Sequence, residues 1–161
     1  MTLKLLSPLD GRYADVTAPL KEYFSEYAFL RDRVRVELDY LLALSKIGLI
    51  RHLTDSEFAQ IESVKSNFSV DDAETILAFE RTTRHDVKAI EYFIQSKLLE
   101  SPGVLADSQE STPFFQGLIP WIHFGLTSED TNSIGQAIAL KESCSKVILP
   151  ALESLISDLS A

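Results

Sequence analysis

Basic residues are in short supply in this chain. Fifteen Lys and Arg stand against 24 Asp and Glu, a formal net charge of -9 over 161 residues. Nucleic acid and anionic membrane surfaces both call for a surplus of positive charge, so neither is a generic partner, and any seat for a small anion has to be built locally. Cysteine is nearly missing as well. Cys144 stands alone, which excludes an internal disulfide and fits a reducing, cytoplasmic setting. The three His are scattered and Cys144 is remote from them in sequence, so no zinc-type ligand spacing arises. No apolar run approaches the roughly 20 residues of a membrane span, and Met1 to Leu6, MTLKLL, is too short for a signal-peptide core.

What is present is a hydrophobic content of 45% with only six Gly and six Pro. Such a chain buries a real core, as one domain or one plus part of another. Apolar residues recur at helical steps from Thr17 to about Ile47, with Pro19 in the first turn and Gly48 as terminator. Thr54 to Glu57 forms a capping box for a second helix, and Ser69 to Asp72 repeats that spacing for a third. Arg31, Arg33 and Arg35 alternate with Asp32, Glu37 and Asp39 and read as a solvated face.

Three polar islands interrupt the apolar pattern. The first is SPLDGRY, a loop punctuated by Ser7-Pro8 and Asp10-Gly11, in which Arg12 supplies a planar charged fork suited to phosphate and Tyr13 follows it. The second is Glu80 to Asp86, ERTTRHD. Thr82 and Thr83 weaken a helix there, and Thr83 with Asp86 has capping-box spacing for a new helix from Arg84 to about Leu99. Arg84 and His85 would then oppose the dipole of its first turn, a local violation of the kind that marks functional sites, with Asp86 orienting His85. The third island, HFGLTSEDTNS, places His123 before Gly125 and sets Thr127 as N-cap with Asp130 at the third helical position. Free amides at that helix start, the hydroxyls of Thr127 and Ser128, and a nearby His make a seat for a carboxylate or phosphate.

The last helix carries Ile134, Ile138, Ile148, Leu152, Leu155, Ile156 and Leu159 as a bundle-type seam, with a bend expected at Pro150. It shows no terminator before Ala161, so the sequence reads as a fragment of something larger. A bare stripe of that size is expected to self-associate or to pack back on its own domain.

SPLDGRY, TTRHDVKAIEYF and HFGLTSEDTNS, in this order and at these separations, resemble the adenylosuccinate lyases of the fumarase/aspartase superfamily. The resemblance implies an all-α fold, with a helical N-terminal domain over residues 1–115 and the start of a long-helix bundle over 116–161. It implies elimination of fumarate from adenylosuccinate, giving AMP, and from succinyl-aminoimidazole-carboxamide ribotide, with no cofactor and no metal. Substrate binding is implied for Arg12, Tyr13, Arg84, His85, Asp86, His123, Thr127 and Ser128. The general acid and the general base are implied to lie beyond Ala161, so no catalytic residue is expected here, His85 being auxiliary at most. The implied partners are a purine nucleotide substrate and further copies of the chain in a homotetramer. A helical module that only docks another protein explains the apolar seams, but it leaves the three polar islands without a purpose.

Overall fold

The computed structural model describes residues 4–99 and 117–160. Helices make up the regular structure, with no strand among the described residues, as the all-α expectation requires. The periodic run after Thr17 is not one long helix. A 3-10 turn, Ala18–Leu20, leads into the single turn α1, Lys21–Phe24, and the chain then breaks at Ser25. Ser25 is extended, and its hydroxyl accepts the Ala28 N–H to cap α2, Glu26–Lys46. Gly48, at φ 75°, ends that helix as expected.

Helix α2 is the spine. Leu30, Val34, Leu38, Leu41 and Leu44 bury one face of it against α3 (Asp55–Ser66), α4 (Val70–Thr83) and α5 (Asp86–Leu99). Ile61, Ile76, Ile90, Phe93 and Ile94 complete the core. Both capping boxes are formed, Thr54 with Glu57 and Ser69 with Asp72. Leu118 and Ile122 close the core from the segment before α6, Ser128–Ser143.

α6 lies along α2 on a face the periodicity did not single out. Its buried residues are Thr131, Gly135, Ala139 and Ser143, each four apart, while Ile134 is exposed. Four-residue spacing makes one stripe along a helix. Small side chains on that stripe let the backbones approach, and a Cβ added at Gly135 would meet Asp32 Cβ at 3.8 Å. The structure answers Pro150 with a π-helical turn, Cys144–Ile148, which absorbs the missing proline N–H before α7, Leu149–Ser160. α7 buries no residue, so the seam does not pack back on its own domain. The loop from Ala106 to Pro113, and with it the boundary between residues 115 and 116, lies outside the described residues.

Candidate functional site

Two polar islands converge on the face of α2 that carries Arg33, Glu37 and Tyr40. These positions are four and three residues apart and therefore share one side of the helix. Arg33 is 5% exposed. Its Nη2 donates to Asp86 Oδ2 at 2.7 Å and its Nε to Asn132 Oδ1 at 2.9 Å, with the guanidinium carbon 3.9 Å from the Phe29 ring centroid. One side chain thus ties the start of α5 to the first turns of α6. Glu37 holds the same end of α6 and the segment before it. Its Oε1 lies 2.6 Å from His123 Nδ1 and accepts the Thr131 hydroxyl at 2.9 Å. Tyr40 donates to the Phe124 carbonyl at 2.9 Å.

The expected solvated face is therefore only partly solvated. Arg31 and Arg35 do make outward pairs, with Glu22 and with Asp39 and Glu142. Arg33, Asp32 and Glu37 are buried. Periodicity of charge could not reveal this, because Arg33 and Glu37 at i and i+4 look like an ordinary surface pair. Instead each reaches α6, Arg33 also bonding to the start of α5 and Glu37 to His123 in the segment before α6.

The second island also differs from its sequence reading. Arg84 is the C-cap of α4 in the left-handed region, φ 52°, with its N–H on the Glu80 carbonyl. Its charge thus sits at a helix C-terminus, where the dipole favours it. His85 takes the capping role expected of Thr83. Its carbonyl accepts the Ala89 N–H, and its Nδ1 accepts the Lys88 N–H at 3.1 Å. The Thr83 hydroxyl bonds locally to His85 instead. Nor does Asp86 orient His85 by a hydrogen bond, since Oδ1 lies 3.8 Å from Nδ1 while Oδ2 goes to Arg33. Because Nδ1 of His85 is an acceptor, its ring proton resides on Nε2. Burial pushes the Asp86 carboxyl up, but the Val87 N–H and the charge and bond of Arg33 outweigh it and hold the carboxyl below its ordinary range.

In the third island, Thr127 N–H and hydroxyl both donate to Asp130 Oδ2, at 2.8 and 2.9 Å. These bonds are what hold the Asp130 carboxyl low. Ser128 opens α6 half-buried, and Thr127 before it is exposed. His123 is left-handed at φ 60°, and with Arg84 it makes up the non-glycine positive-φ residues among those described. Such backbone costs of order 1–3 kcal/mol and persists where surroundings hold it, often at ligand sites.

Arg12 and Tyr13 belong to a locally bonded loop. Their loop is built on local bonds, Ser7 to Asp10 and Thr17 to the Leu9 and Tyr13 carbonyls, and Arg12 stacks over its neighbour Tyr13 at 5.2 Å. None of the hydrogen bonds among the described residues joins this loop to His85, His123 or Ser128. What the sequence reading missed are Arg33, Glu37, Thr131 and Asn132. A half-buried ion pair with a helix start 53 residues away leaves no local pattern to find.

The lyase family matches residues 11–161. The chain belongs to the lyase family. Among its relatives are adenylosuccinate lyases of Dictyostelium discoideum and of Escherichia coli strain K12, each 38% identical over 158 residues, or 96% of this chain and 32% of the relative. A third, from Buchnera aphidicola of Acyrthosiphon pisum, is 35% identical over 161 residues, 98% of this chain and 33% of the relative. The chain spans about a third of the length of these curated lyases. Among the described residues, no helix of this lyase-family chain is long and apolar enough to cross a membrane.

Proposed function

We propose that the protein is an adenylosuccinate lyase of the cytoplasm, acting in purine biosynthesis as a homotetramer. It eliminates fumarate from adenylosuccinate, to give AMP, and from succinyl-aminoimidazole-carboxamide ribotide. The observation that carries the reading is the pair of hydrogen bonds that Arg33 donates, to Asp86 and to Asn132. It supports a common site for the second and third islands, the two stretches that resemble the family's substrate-binding motifs.

The proposed chemistry draws on the donors that the two islands carry. The free amides of α6, the Ser128 hydroxyl and the Nε2–H of His85 are donors suited to a carboxylate or phosphate. Thr127 sits beside them with its hydroxyl engaged to Asp130. Arg84 adds a full charge in a left-handed turn, and Arg12 and Tyr13 join as nucleotide contacts from their loop. Abstraction of a proton next to a carboxylate and expulsion of a purine amine need an acid and a base. Neither is assigned within these 161 residues, and His85 is at most an auxiliary. The division into a helical domain over 1–115 and a bundle segment from 116 belongs to the same proposal.

Adenylosuccinate is expected to raise the unfolding midpoint of the chain, because a ligand of the folded state stabilises it by mass action. His85→Ala and Ser128→Ala should each reduce that rise. A midpoint indifferent to adenylosuccinate at high concentration overturns the proposal. The chain alone is expected to release no fumarate; measurable turnover would show that the acid and base are wrongly assigned.

A further inference from the structure

Glu37 is 1% exposed and only half satisfied. Oε1 takes both of its bonds, from His123 and Thr131, while Oε2 has no partner among the described residues. A buried carboxylate with one idle oxygen is costly, and a packed apolar side chain of similar volume would be at least as stable. His123, its partner, is itself held in left-handed backbone. Two unfavourable features meet at one 2.6 Å contact.

A carboxylate only accepts hydrogen bonds, and the Thr131 hydroxyl donates one of them. The imidazole must therefore donate the other, from Nδ1. We propose that Glu37 is the positioning residue of His123. It keeps the proton on Nδ1 and leaves Nε2 as the nitrogen that meets ligand. With one ring proton, Nε2 accepts a hydrogen bond; with two, it donates to an anionic oxygen. His85 is fixed the opposite way, through an accepting Nδ1. The two rings thus present opposite Nε2 chemistry, a donor on His85 and an acceptor on neutral His123. This assignment rests on the proposed function only for the nature of the ligand.

The test needs no ligand. Imidazole 15N shifts of the full chain are followed through a pH titration. His123 is expected to carry its neutral-ring proton on Nδ1, and Glu37→Gln should release it to a mixture containing the Nε2–H tautomer. Thr131→Val, which leaves Glu37 in place, should keep the Nδ1–H form. An unprotonated Nδ1 in the neutral ring of the unaltered chain overturns the proposal, whether or not Glu37→Gln folds. So does a folded Glu37→Gln variant with unchanged tautomers. Failure of adenylosuccinate to bind, with the tautomers as expected, would strike the ligand reading and leave the role of Glu37 standing.

Discussion

Arg33 shows how much one buried cation can organise. It bridges two helix starts, covers the Phe29 ring and leaves little of itself to solvent. Arg33→Met keeps the volume and removes the charge. Losing one partner of a fully buried pair costs about 3–5 kcal/mol; the Asp86 side chain is 44% exposed, so water compensates and about 2–3 kcal/mol is expected by urea denaturation. Combining it with Asp86→Asn should give less than the sum of the two, which a double-mutant cycle reads directly. From the sequence, the residue types of the candidate site were legible because each island concentrates groups with chemistry. The groups that hold the islands in place were not, since the partners of Arg33 and Glu37 are set by tertiary packing.

Helix starts were legible wherever the cap is local. Thr54 with Glu57 and Ser69 with Asp72 form as their spacing demands, and Thr54→Ala is expected to cost about 1 kcal/mol. The start of α5 was not legible, because a His ring took the role that the Thr83 spacing suggested. Acid should find these same places. A hydrogen bond from Arg51 is the main influence lowering the Glu57 carboxyl, and Asp86 is lowered as described. A depressed carboxyl contributes stability that is complete above its unfolded value of about 4 and is lost as pH falls through its folded value. Stability should therefore be flat above about pH 5 and fall below about pH 4, and Glu57→Gln should flatten that fall. On α6, the close approach to α2 still leaves ordinary contact distance for one more carbon at Gly135. Gly135→Ala should thus stabilise by about 0.5–1 kcal/mol through its helical interior, whereas Gly135→Leu should separate the helices and destabilise.

At the scale of the whole molecule, the core around α2 and the surface of α7 are unlike. Leu152, Leu155 and Leu159 are 48, 52 and 80% exposed, and an apolar stripe of this kind does not stay bare in water. Sedimentation velocity should show association that weakens on dilution and is abolished by Leu155→Glu; a monomer at every concentration would contradict this. At the other end of the molecule, the second and third islands are proposed to serve one anionic ligand. Backbone amide shifts during a titration with AMP test this most directly. Arg84 to Asp86 and His123 to Ser128 should move together along one binding curve, with Glu57 and α7 unaffected. If one island responds without the other, or the shifts fall elsewhere, the shared site does not exist.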